Sequence, residues 1–217
     1  MRHFFNQQLF ATNVMTVPVD AAIAAEFSGE ARRAISGMAT VKPDWPSNIE
    51  WVAPSQPEAH GVFESAFGRM GVAAHVRGFL DVHREVRLYA GFMVIRSECS
   101  APTFHVDWIN TNNEAFTLLT PVSPVPKGFG LLYRRADGQI AEYDYNVGEA
   151  IVFGDHFYHS TKPGRSHEPV VLLCFEFGTD KMQHWDKILA TIAGQAAILR
   201  RPDGEFMQTN ARFGAGY

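Results

Sequence analysis

The sequence predicts a mainly β chain with flanking helices, a single domain of 217 residues. Three observations predict it. Seven short segments rich in branched and aromatic residues follow one another between residues 86 and 178, separated by turn signals. Helical periodicity is confined to the residues before and after them. Hydrophobic residues make up 46% of the chain and charged ones 19%, enough apolar material for one sizeable core.

The elements follow in order. Residues 1–85 are expected to be helical, 86–178 to form the β core, and 179–217 to add a helix and tail. From Pro18 to Met38 the chain has Pro early, acidic residues in the first half and Arg32-Arg33 late, as a helix dipole favours. A loop with Pro43, Pro46, Pro54 and Pro57 follows. A second helix is expected over Glu58–Leu80, with Phe63, Phe67 and Met70 on one face; each of Gly61, Gly68, Gly71 and Gly78 costs it about 1 kcal/mol against Ala. The strand segments are 86–95, 102–108, 115–122, 128–135, 139–145, 150–154 and 169–177, with a tight hairpin at Asp137-Gly138. Short strands at this spacing favour a sandwich or barrel over a parallel α/β sheet. Helical spacing returns over Asp180–Leu199, where Trp185, Ile188, Ile192 and Ala196 make a stripe for packing on the sheet.

Composition excludes several functions. A net charge of −4 is wrong for a broad nucleic-acid surface. No apolar run approaches the roughly 20 residues a bilayer requires, and Asn6, Gln7 and Gln8 interrupt the start, which makes a poor secretory signal. A cytoplasmic protein is therefore expected, with no membrane and no nucleic-acid partner. Cys99 and Cys174 are too few for a disulfide framework or a Cys-based zinc site.

The chemistry points to histidine. In Thr103-Phe104-His105-Val106-Asp107-Trp108 the strand period puts His105 and Asp107 on one face, where they can grip adjacent positions of a divalent metal. A carboxylate falls two places after a given His about one time in ten, so nine histidines should yield about one such pair by accident. There are three, and context separates them. His184-x-Asp186 opens the last helix, where residues two apart diverge. His83-x-Glu85 sits in a charged edge with Arg84 and Arg87. His105-x-Asp107 has downstream partners in His156 and His159, just past the strand segment ending at Phe153. A third ligand there closes a two-His, one-carboxylate face that leaves positions open for cosubstrate and dioxygen, and the hard carboxylate suits Fe(II).

H-x-D followed by G-E-x-x-x-F-x-x-x-x-x-H-x-x-x-P resembles the Fe(II)/2-oxoglutarate-dependent dioxygenases, loosely the phytanoyl-CoA and prolyl hydroxylase-like groups. Phe153, His159 and Pro163 match that pattern and favour His159 over His156. The resemblance covers roughly residues 86–178. It implies a double-stranded β-helix (a jelly roll, cupin-like) with His105, Asp107 and His159 as metal ligands and catalytic centre, and with Fe(II) and 2-oxoglutarate as cofactor and cosubstrate. The family's cation about ten residues after the last His, which holds the distal carboxylate of 2-oxoglutarate, is replaced here by Pro169. Arg165 takes that role in the sequence reading, with Arg134 and Arg96 as alternatives and Tyr133 as a further donor or else a half-buried sheet tyrosine. Trp108 is read as core or as a hydrogen-bond donor near the site, and Asn110–Asn113 as a turn or a polar rim. The expected reaction is oxidation of an unactivated C–H bond of a small-molecule, amino-acid or peptide substrate, with release of succinate and CO2. A cupin-type metalloenzyme without 2-oxoglutarate and a non-catalytic ligand-binding barrel are the competing readings. Substrate identity and oligomeric state are open at this point.

Overall fold

The computed structural model describes residues 5–6, 11–12, 14–29, 33–41 and 48–209. Two antiparallel sheets face each other. The larger contains β3 (Val14–Pro18), β4 (Met38–Val41), β5 (Glu50–Pro54), β6 (Arg87–Cys99), β7 (Ala115–Pro121), β10 (Glu149–Phe153) and β12 (Gly164–Gly178), in the order β3-β10-β7-β12-β6-β5-β4. The smaller runs β11 (His159–Thr161), β8 (Gly130–Arg134), β9 (Ile140–Asp144). An antiparallel bridge between His105 and His159 lays the 102–108 segment beside β11. From β6 to β12 the chain passes back and forth between the two sheets, except at the β8–β9 hairpin, which stays in the smaller one, the connectivity of a double-stranded β-helix. Two short ribbons complete the strands: β1 (Phe5–Asn6) with β2 (Ala11–Thr12), and β13 (Ile198–Arg200) with β14 (Phe206–Gln208).

The outer face of the large sheet is covered by helix α2 (Pro57–Met70), which buries Phe63, Phe67 and Met70 against Met93, Leu173, Phe175 and Phe177. Phe67 stands 4.9 Å from Phe177 and 5.7 Å from Phe175, ring centre to ring centre. Contact is so close that a Cβ built on Gly91 of β6 would lie 2.6 Å from Phe63 Cβ. Gly71 stops α2 in the left-handed conformation at φ 69°, and the expected helix continues only as α3 (Val72–Val76) and a 3-10 turn at Arg77–Phe79.

Several boundaries differ from the sequence expectation. The helix foreseen over 18–38 is short where described: Asp20 caps α1 (Ala21–Ala25) by accepting from Ala22 N–H at 2.9 Å, and residues 30–32 lie outside the described residues. The N-terminal part also carries β3, β4 and β5, which widen the large sheet at both edges. These strands are short and lack a clean period, so tertiary pairing decides them. Strand β12 begins at Gly164 rather than 169. Its register with β6 shifts between Arg165 and Val170, a stretch that contains Pro169, which has no N–H to give. The terminal helix is confined to α4 (Trp185–Ile192), and residues 198–200 are strand instead. The hairpin at Asp137-Gly138 is as expected: Gly138 adopts φ 84°, and Gln139 N–H donates to Asp137 Oδ1 at 3.0 Å. Among the described residues no helix is long and apolar enough to cross a membrane.

Candidate metal centre

His105, Asp107 and His159 converge, with one ligand atom from each all within 4.8 Å of one another. Asp107 Oδ1 lies 3.4 Å from His105 Nε2 and 3.7 Å from His159 Nε2. Two donors each about 2.1 Å from one ion stand roughly 3 to 3.5 Å apart, so slight closure of these three satisfies a common metal. The bridge between residues 105 and 159 fixes this meeting: His105 N–H donates to His159 O and His159 N–H to His105 O, both at 2.9 Å. The two ring centres are 4.5 Å apart.

Both imidazoles are oriented by the same device. His105 Nδ1 is 2.9 Å from Thr103 O, and His159 Nδ1 is 2.9 Å from Phe157 O. A carbonyl only accepts, so each Nδ1 carries the proton and each Nε2 presents its lone pair. Phe153 and Phe157 pack against the His159 ring at 4.7 and 5.4 Å. Asp107 is aimed through a relay. The buried Trp108 indole N–H donates to Thr117 Oγ1 at 2.9 Å, and Thr117 donates its hydroxyl proton to Asp107 Oδ2 at 3.0 Å. Trp108 is thus both core and donor.

Electrostatics agree with a ligand set. Burial pushes the Asp107 carboxyl up, but the His159 and His105 rings and the Thr117 hydroxyl outweigh it and hold its pKa below the ordinary value. Burial pushes the His159 imidazole down and keeps it neutral. For His105 burial acts the same way, yet the hydrogen bond and charge of Asp107 carry the net shift upward. A metal bound at His105 Nε2 would displace the proton that Asp107 favours there. Burial pushes the nearby Cys174 thiol far up, so it stays protonated and offers no thiolate.

The loop after Asp107 is pinned from beneath. Asn110, Asn112 and Asn113 adopt φ near +60°, a region Asn tolerates. Thr111 Oγ1 donates to Asp155 Oδ1 at 2.6 Å and Asn113 N–H to Asp155 Oδ2 at 3.2 Å. The polar run is therefore a turn, although Asn110 also reaches the cavity. His156 has φ 63° and is exposed, away from the triad. His83 is likewise exposed, and its N–H and those of Arg84 and Glu85 donate to Asp180.

The triad opens into a cavity of about 610 Å³ between the sheets. Arg96, Leu119, Leu131, Tyr145, Thr161, Leu172 and Cys174 are among the residues that line it. Arg96 extends from β6 and its guanidinium donates to Thr161 Oγ1. Arg165, first choice from the sequence, is not brought there: its side chain is 77% exposed and paired with Glu98 at 2.8 Å. Arg134 is exposed and lies over the Tyr158 ring at 4.2 Å, on the outside of the small sheet. Tyr133 is buried, stacked on Phe157 at 5.7 Å, and does not line the cavity. The stripe on α4 packs as expected through Trp185, Ile188 and Ile192, but its other side, with Lys187, Ala190 and Thr191, walls the cavity mouth. No local sequence pattern marked that side as a cavity wall.

No family model matches the sequence, and no curated protein matches it either. Solved structures do match in fold. The chain shares the double-stranded β-helix of Fe(II)/2-oxoglutarate-dependent oxygenases. HygX from Streptomyces hygroscopicus, solved with nickel and 2-oxoglutarate, aligns over 81% of this chain and 88% of its own at TM-score 0.60 and 14% identity. The non-heme alpha ketoglutarate dependent epimerase SnoN from nogalamycin biosynthesis aligns over 77% and 78% at TM-score 0.63 and 17% identity. A Pseudomonas putida prolyl-4-hydroxylase aligns over 77% and 92% at TM-score 0.56 and 16% identity.

Proposed function

We propose that this chain is a non-haem Fe(II)/2-oxoglutarate-dependent oxygenase acting on a C–H bond of a small molecule. The observation that carries the reading is a two-His, one-carboxylate face at the wall of a cavity that also holds a sequestered arginine. His105, Asp107 and His159 would hold Fe(II), and three ligands leave positions for cosubstrate and dioxygen. Bound there, the iron with 2-oxoglutarate and dioxygen supplies the oxidising power for C–H cleavage, with succinate and CO2 as coproducts.

The protein's own residues do the rest. Arg96 takes the role that the sequence reading gave to Arg165. It lies on the inner side of β6, its charge acts on both ligand imidazoles, and Thr161 steadies its fork for a carboxylate. Leu119, Leu131 and Leu172 close the inner part against water, which strengthens that ion pair and protects reactive species. Thr117 keeps one Asp107 oxygen occupied and leaves the other for the metal. The cavity volume falls in the range of small-molecule sites. HygX with hygromycin B and SnoN with nogalamycin RO show the same fold receiving compounds of that kind.

Anaerobic addition of Fe(II) and then 2-oxoglutarate tests the proposal. A weak visible charge-transfer band, followed by succinate when oxygen is admitted, is expected. A metal-loaded protein that gives neither is a cupin with other chemistry.

A further inference from the structure

Resting on that reading of the inner cavity, we propose that the outer half selects a ring-bearing, largely apolar carboxylic acid, with Lys187 pairing to its carboxylate. Much of the wall is apolar, beside the neutral polar side chains of Asn110, Thr191 and Gln195. Ile49 and Trp51 come from the segment around β5, Phe92 from β6, and Ile109 from the loop after Asp107. Trp51 and Phe92 stand 5.9 Å apart, tilted at 56°, and form an aromatic corner suited to a flat ring. Ile109 is 52% exposed at the rim, apolar surface that a bound ring would cover.

Charge decides the rest of the class. Among the described residues lining the cavity, the sole carboxylate is Asp107, which is committed to the metal. The cations are Arg96 inside and Lys187 at the mouth. Lys187 is exposed on α4 and takes part in no ion pair among the described residues, whereas Arg165 and Lys162 each have a carboxylate partner. With Arg96 engaged by 2-oxoglutarate, an ammonium substrate would meet the like charge of Lys187 and no free counter-charge; an acid would find Lys187 waiting.

The test uses the intact protein loaded with Fe(II) under anaerobic conditions, with 2-oxoglutarate saturating so that Arg96 is occupied. 3-Phenylpropanoate, its primary amide and 3-phenylpropylamine, with the corresponding indole series, are titrated by ligand-observed NMR. The acids should bind about three- to fivefold tighter than the amides, the scale of a partly exposed ion pair, and the amines most weakly. Lys187→Ala should erase the preference of acid over amide, and Lys187→Glu should reverse the order. Trp51→Ala should weaken all members alike. Equal or better binding of the amines, persistence of the acid preference in Lys187→Ala, or no binding by any member overturns the inference. The charge-transfer band, read in the same samples, separates the two claims. A normal band without acid preference leaves the oxygenase reading standing, and an acid preference without a band does the reverse.

Discussion

Thr117 and Asp107 are joined by a hydrogen bond whose direction is set by a third residue. The Trp108 indole can only donate, so the Thr117 hydroxyl must accept from it and spend its own proton on Asp107 Oδ2. Thr117→Val removes the donor to Asp107 and leaves the buried indole N–H without a partner. We expect a loss of about 1–3 kcal/mol in urea unfolding and a drop of about tenfold in Fe(II) affinity. Thr117→Ser keeps both bonds and should restore both quantities; if serine behaves like valine, the relay is not what matters.

Arg96 and Arg165 give opposite expectations. Arg96→Met should raise the 2-oxoglutarate Kd by at least about tenfold, as loss of a charged hydrogen bond does, while leaving Fe(II) binding intact. Arg165→Ala, which removes only an exposed pair with Glu98, should leave both unchanged. Calorimetric titration of 2-oxoglutarate into the Fe(II) forms reads this directly. The reverse pattern would return the role to Arg165.

His60 predicts a specific acid instability. It is fully buried on α2 beside Phe206, and burial lowers its pKa from 6.5 to about 4. The unfolded chain therefore binds the proton first. Stability due to this group is complete above pH 6.5 and is lost as pH falls through 4, by roughly 3 kcal/mol. His60→Gln should flatten the unfolding free energy between pH 6.5 and 4 relative to wild type. Parallel curves for the two proteins would refute the assignment.

Gly91 lets α2 approach the large sheet closely. Gly91→Ala drives a methyl into Phe63 and should cost about 1–3 kcal/mol by thermal or urea unfolding. Because the nearest atom is Phe63 Cβ, which leucine keeps, adding Phe63→Leu should recover none of that loss. A Gly91→Ala variant as stable as wild type would show that the contact yields without cost.

The β core and the triad were legible because their signals are local. Strand segments between turn residues read directly, and the H-x-D pair with Phe153, His159 and Pro163 carried a spacing. Strand β11 was invisible because His159–Thr161 has three residues and no apolar run; its pairing with β8 creates it. Arg165 was misplaced for a related reason. The segment after Pro163 reads as a loop free to reach inward, but it pairs with Glu98 and Cys99 of β6 and holds Arg165 beside Glu98 instead. Arg96 enters the cavity through the register of a long strand, which no short window of sequence reveals. The two sides of α4 were half read: apolar periodicity identified the packed side, while nothing local told that Lys187 would face a cavity.

The central claim is that one ion is held by His105, Asp107 and His159. Anaerobic Fe(II) titration of the wild type and of His105→Ala, Asp107→Ala and His159→Ala, each checked for folding by circular dichroism, measures it most directly. One Fe(II) per wild-type chain is expected, with affinity falling by well over about tenfold in every folded variant. Undiminished stoichiometric binding in folded His105→Ala, Asp107→Ala or His159→Ala would contradict it.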